Sequence, residues 1–151
     1  MAGNPLVDQG VLNLLAASVT WTTFPALNVT APYLDKAGLT LRLEGQATAQ
    51  HDTMTGLVNS PQPYMTVNLG IPLLKTQNLS NLYKTQMELN SQIGDGTVWP
   101  DVSAASAGGI GAYQVANMSI LNVGELNLGG TTPVWGVTLR GVYYINAGAF
   151  N

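Results

Sequence analysis

Apolar and polar residues alternate with a period of two through most of this sequence, and that pattern restricts the chain to a mainly β fold. In residues 38–45, Leu39, Leu41 and Leu43 share one side, and Thr40, Arg42 and Glu44 share the other. In residues 64–73, Met65, Val67, Leu69, Ile71 and Leu73 alternate with Tyr64, Thr66, Asn68, Gly70 and Pro72. In residues 134–145, Trp135, Val137, Leu139, Tyr143 and Ile145 alternate with Gly136, Thr138, Arg140 and Tyr144. Successive side chains of a strand point to opposite faces, so each run predicts a strand with one face in a core and one polar face.

Residues 17–23 alternate in the same way, with Ala17, Val19 and Trp21 on the apolar parity. Residues 113–128 change phase: Met118 and Ile120 hold one parity, Leu121 and Val123 the other, and Leu126 and Leu128 return to the first. An extra residue in a strand reverses its facing, so a bulge or bend is expected there. The run Gly129-Gly130-Thr131-Thr132-Pro133 then predicts a hairpin connection. One stretch breaks the pattern. Leu79, Leu82, Tyr83, Met87, Leu89 and Ile93 fall on one helical side, which predicts an amphipathic helix over 79–93. Thr76 or Asn78 is its expected N-cap and Gly94 its expected end. Two segments remain as long connections: 46–63, expected to project as a hairpin loop, and the Ala/Ser/Gly-rich 95–111. No linker divides the chain, so residues 1–151 form one expected domain, with an N-terminal arm over about 1–16.

Charged residues are 9% of the chain, against roughly 25% in ordinary soluble domains, while hydrophobic residues stand at an ordinary 46%. The surface is therefore built from neutral Asn, Gln, Thr, Ser and Gly. Burying such groups costs far less than burying charges, so this surface suits large protein–protein contacts. The net charge of −3 and the five scattered cations, Lys36, Arg42, Lys75, Lys84 and Arg140, argue against a dedicated nucleic-acid binder. There is no cysteine, hence no disulfide framework or thiolate metal site. The first ten residues lack the basic and apolar regions of a secretory signal, and no run reaches membrane-spanning length.

The residues that carry chemistry elsewhere do not assemble into a catalytic pattern. The one histidine, His51, stands beside Asp52 in the projecting segment, but no nucleophile elbow accompanies it. The carboxylates are spread thinly, with Glu44 alone clearly on the polar face of a strand, and one histidine does not supply the three protein ligands of catalytic zinc. Gly109-Ile110-Gly111 opens a strand rather than a helix, so the anion site of a dinucleotide fingerprint is missing. The expectation is a protein without enzymatic activity, metal or cofactor.

Four stretches together resemble the tail tube proteins of contractile-tailed bacteriophages. They are Gly3-Asn4-Pro5-Leu6-Val7 with Val11-Leu12-Asn13 ahead of Ser18-Val19-Thr20-Trp21; Asn28-Val29-Thr30-Ala31-Pro32-Tyr33-Leu34 ahead of the strand at 39–44; Leu73-Leu74-Lys75-Thr76-Gln77-Asn78-Leu79 entering the helix, with Tyr83, Gln86, Met87 and Glu88 within it; and Gly141-Val142-Tyr143-Tyr144-Ile145-Asn146. The resemblance covers nearly the whole chain and lies in order and spacing. It implies an antiparallel β-sandwich or barrel-like tail tube fold with one flanking helix, akin to type VI secretion tube proteins. It implies six-membered rings stacked into a hollow tail tube of the virion, assembled in the cytoplasm of the bacterial host. The implied partners are further copies of itself, the tail sheath, baseplate and tail terminator proteins, with DNA and a tape measure protein passing through and no membrane.

Within that frame, Thr40, Arg42, Glu44, Thr66 and Asn68 are expected to face the channel, because they oppose the apolar faces. A neutral-to-acidic wall would not hold phosphates, unless Arg42 and Arg140 lie on it without a carboxylate partner such as Glu44. His51, Asp52, Met54, Leu57 and Val58 in the projecting segment are expected to contact a neighbouring subunit or ring, and the N-terminal arm is a second contact. The main alternative is a carbohydrate-binding or adhesin-type β-sandwich built around its tryptophans, although Trp21 and Trp135 fall on core parities and only Trp99 is left for an exposed platform. A hydrolase assembled from distant acids and an outer-membrane barrel are weaker alternatives.

Overall fold

The computed structural model describes residues 9–102 and 109–150. Their strands form a six-stranded antiparallel sheet that curls into a half-barrel, with one helix packed on it, in agreement with the mainly β, barrel-like expectation. The strands are β1 (Ser18–Trp21), β2 (Thr40–Glu44), β5 (Tyr64–Leu74), β6 (Gln92–Trp99), β7 (Tyr113–Val123) and β8 (Val134–Tyr144). Their order across the sheet is β1-β6-β7-β8-β5-β2. The remaining strands, β3 (Thr48–Asp52) and β4 (Leu57–Pro61), pair only with each other.

The centre of the sheet is the β5–β8 ladder, in which every residue from Tyr64 to Leu74 has a partner between Tyr144 and Val134. Register explains the core. Leu41 lies opposite Leu69, Leu69 opposite Leu139, and Leu139 opposite Ile120, so one apolar rung crosses four strands. Ile71 and Val137 form the next rung with Val123. Val67, Leu69, Leu73, Val19, Val29, Met118 and Leu139 have no exposed surface. The phase change in β7 is real: the register slips between Ala116 and Ser119, and again between Ile120 and Asn122. Asn117 takes φ 53 at the first slip, which moves burial from Val115 to Met118 and Ile120. Leu126 and Leu128 lie beyond the strand and are exposed.

The helix α1 spans Asn78–Leu89, shorter than the predicted 79–93. Asn90 caps it, Ser91 turns at φ 60, and Gln92 already opens β6. Ile93 is therefore a buried strand residue, and Gly94 sits at a register slip of β6 rather than at the helix end. At the other end the N-cap is Gln77, with no side-chain cap bond, so neither Thr76 nor Asn78 caps the helix. Ser80 instead anchors the first turn by donating to the Leu74 carbonyl at 2.7 Å. The expected connection over 95–111 is likewise revised: residues 95–99 belong to β6, and 103–108 lie outside the described residues.

A polar relay inside the core ties the helix to the sheet edge. The Trp21 indole Nε1–H donates to the Tyr83 hydroxyl at 2.9 Å, and that hydroxyl donates to the Leu27 carbonyl at 2.7 Å. Tyr83 is fully buried, and burial raises its pKa well above the ordinary tyrosine range despite the opposing Trp21 hydrogen bond. The relay satisfies both polar tips in an otherwise apolar cluster, as buried polar groups require.

Candidate functional site

The sheet face opposite the core is polar, and the strand registers lay it out in three rungs. Thr40, Gly70, Thr138 and Asn122 make the first. Arg42, Asn68, Arg140, Ser119 and Gln92 make the second, across five strands. Glu44, Thr66, Val142 and Ala116 make the third. The five residues named from the sequence, Thr40, Arg42, Glu44, Thr66 and Asn68, thus occupy neighbouring positions on one face of β2 and β5. Sequence reasoning raised Arg140, beside Arg42, as a cation such a wall could carry with Glu44 as its partner, and it did not include Thr138, Ser119 or Gln92, although the alternation of β8 already put Thr138 on its polar parity.

The charges of this face converge on one carboxylate. Arg42 Nε is 3.9 Å from Glu44 Oε1, and an Arg140 guanidinium nitrogen is 4.0 Å from Glu44 Oε2. Asn68 lies between the two arginines in the ladder, and its Nδ2 donates to Glu44 Oε1 at 2.5 Å. With one carboxylate and two guanidiniums, these residues carry a net charge of +1 in a chain of −3. Around them the side chains are neutral donors and acceptors. Ser119 Oγ donates to Gln92 Oε1 at 3.3 Å, and Thr97 Oγ1 donates to Gln114 Oε1 at 3.0 Å. The Asn68 Oδ1 atom is buried and has no hydrogen-bond partner.

The segment 46–63 is a β-hairpin of its own, β3 and β4, standing apart from the six-stranded sheet. His51 pairs with Val58 and Asp52 with Leu57, and Met54 sits at the turn. All five of these residues are exposed, Met54 fully and Leu57 and Val58 by more than half. Gln50 and Asn59 bond across the ladder at 3.0 Å, and Thr53 closes the turn on Gly56. A two-stranded hairpin with no buried face is marginal in water, so its exposed apolar residues are unusual for an isolated subunit. Its root is anchored: Asn146 Nδ2 donates to the carbonyls of Ala47 and Gln62, each at 2.8 Å.

Two further features accompany the hairpin. The described part of the N-terminal arm exposes Val11, Leu12, Leu14 and Leu15, each by about two thirds or more, while its backbone is held by the Leu12–Val102 bridge and an Asn13 N–H bond to the Asp101 carbonyl at 2.7 Å. Residues 1–8 of the arm lie outside the described residues. The outer edge of β1 is covered in part by the Val19–Val29 bridge, whereas among the described residues β2 has a strand partner on one side only. Of the tryptophans, Trp21 and Trp135 are buried in the core, and Trp99 is half-exposed beside a cleft of about 250 Å³ lined by Leu14, Leu39, Leu41 and Tyr113. Among the described residues no three His, Asp or Glu side chains gather as a metal site, and no helix is long and apolar enough to cross a membrane.

No protein-family model matches this chain, and no curated protein matches it in sequence. Its fold is similar to solved structures, among them the cryo-electron microscopy structure of the anti-feeding prophage cap, a tube terminating cap. That match has a TM-score of 0.51 and 12% identity, and it covers 96% of this chain and 99% of the other.

Proposed function

We propose that this chain is a non-enzymatic structural subunit of a phage tail or a related contractile assembly, and that copies of it join into stacked hexameric rings forming the hollow tube. The observation that carries this reading is the fold shared, nearly end to end, with a tube terminating cap. Three surface features support it. The β3–β4 hairpin presents Met54, Leu57 and Val58 away from the core, the arm presents Leu12, Leu14 and Leu15, and β2 offers a strand edge. Such an edge is a hazard in a monomer and a means of joining copies in an assembly. Rings closed by one interface and stacked by another need four different patches per subunit, two for each contact, because both contacts are heterologous. In this reading the hairpin with His51 and Asp52 reaches a neighbouring subunit, and the face of Thr40, Arg42, Glu44, Thr66 and Asn68 lines the channel through which DNA and a tape measure protein pass. Sheath, baseplate and terminator proteins are the outer partners, and the virion tail is the location.

The shared fold with a cap favours a second reading, in which the chain closes the end of a tube instead of building its length. Negative-stain images of the purified protein separate the two. Hollow rods support the tube subunit, single rings that do not lengthen with concentration support the end piece, and dispersed monomers at high concentration refute both. Deleting residues 53–56 should leave a folded subunit and remove the assemblies.

A further inference from the structure

Both arginines of the chain lie on the same face of the sheet, and both approach the same carboxylate. The three lysines are elsewhere: Lys36 precedes β2, Lys75 donates to the Asn127 carbonyl, and Lys84 is on the exposed side of α1. A chain with so few charges has therefore placed both of its guanidinium groups on one face of the sheet. Arg42 is three-quarters exposed and Arg140 half-exposed at the side chain, so each keeps donors directed to solvent. The distances to Glu44, 3.9 and 4.0 Å, are long for charge-assisted hydrogen bonds, so neither arginine is locked to it. The firm partner of Glu44 is Asn68, at 2.5 Å, which holds the carboxylate in place between the two cations.

We infer that Arg42 and Arg140 form a contact for the phosphodiester backbone of DNA, and that Glu44, fixed by Asn68, is a built-in counterion that keeps this contact weak. Phosphates attract guanidinium groups through release of condensed counterions, and each neutralised phosphate adds to both affinity and salt dependence. With Glu44 ionised, the face offers one surplus positive charge, enough for a transient contact. Without it the face would offer two, and adjacent copies would multiply the effect. The neighbouring Thr66, Thr138, Ser119 and Gln92 add hydroxyl and amide groups but no charge. The inference deepens the channel reading: it gives the polar face a ligand and assigns Glu44 the task of limiting how long that ligand stays.

The test is fluorescence anisotropy of a short labelled DNA duplex with wild-type protein, Glu44→Gln and Arg42→Gln/Arg140→Gln. Glutamine at 44 retains an oxygen for the Asn68 bond, so the fold and the ladder are preserved. If the variant engages one more phosphate, it binds about tenfold tighter at about 50 mM salt. Raising salt from about 50 to about 200 mM should then weaken the wild type about threefold and Glu44→Gln about twelvefold. The double arginine variant should lose binding. Equal affinity and equal salt dependence of wild type and Glu44→Gln would overturn the inference, as would undiminished binding by the double variant. Electron micrographs of the same samples keep the two ideas apart. Binding that follows these residues in samples without rings or rods refutes the assembly reading and leaves the phosphate contact standing. Assemblies whose DNA binding ignores Glu44 refute the contact alone.

Discussion

Replacing Tyr83 with phenylalanine removes one oxygen from the centre of the core and breaks both links of the relay. The ring remains and packs as before, so the perturbation is confined to hydrogen bonding. Two groups lose their recorded partner: the Trp21 indole N–H and the Leu27 carbonyl. Trp21 is almost fully buried and Leu27 nearly so, which leaves water little access to replace the lost bonds. Each unsatisfied buried group costs about 1–3 kcal/mol, and the two share one site, so a combined loss of about 3 kcal/mol is expected. For a chain of this size that lowers Tm by about 6–12 °C. Thermal unfolding followed by circular dichroism, on samples kept unassembled, measures it. The alkaline limb supplies a second readout. The folded-state pKa of Tyr83 is raised by burial, so its contribution is fully present below the unfolded value of about 10 and is lost as pH climbs beyond it. Phenylalanine cannot ionise, so the gap between wild type and variant should narrow above about pH 10. A fall in Tm of less than about 2 °C, with a gap independent of pH, would refute the claim that the relay holds the helix to the sheet.

Other consequences follow from close approaches and exposed patches. A Cβ at Gly96 would lie 2.3 Å from the Trp21 ring and 2.8 Å from the Thr20 carbonyl oxygen, so Gly96→Ala should displace Trp21 and cost about 1–3 kcal/mol in chemical denaturation. At Gly141 the same atom would meet Met118 at 2.3 Å and the Ala116 carbonyl oxygen at 2.6 Å, so Gly141→Ala should disturb the bulge in β7, visible as faster amide exchange from 116 to 119. Leu69→Ala empties the middle of the four-strand apolar rung and should cost about 2–5 kcal/mol. Substituting Met54, Leu57 and Val58 together by serine should change subunit stability by no more than about 0.5 kcal/mol while abolishing the particles seen in micrographs.

The sequence was most readable where one face of a strand is buried. β2, β5 and much of β8 alternate because Leu41, Leu69 and Leu139 meet in the core while Arg42, Asn68 and Arg140 meet on the other side. β6 carries little local signal because its apolar residues Ile93 and Val98 are separated by Gly94, Asp95, Gly96 and Thr97. Those small residues reflect a distant partner, the Trp21 ring lying against Gly96, which no local window contains. Ile93 also fits the helical period of Leu89 and Met87, which carries the predicted helix one turn beyond Leu89, whereas the left-handed backbone of Ser91 redirects the chain into β6. β3 and β4 carry no alternating signal because neither of their faces packs on a core, and only their position between two strands suggested a hairpin. On the polar face, Arg42 and Glu44 are neighbours by strand period alone. That Arg140 joins them depends on the β5–β8 register, set by apolar contacts on the opposite side.

That register also gives the subunit a mechanical character. β5 follows the hairpin after two residues at one end and leads into the helix at the other, and across eleven residues it spans about 36 Å. Ladder hydrogen bonds run perpendicular to the strands, so tension along β5 loads those to β8 in shear, all together, instead of peeling them singly. A tug on the hairpin is thus carried through the molecule as through a lap joint, and the weakest link under axial strain lies outside this strand, in the two-stranded arm that receives the pull.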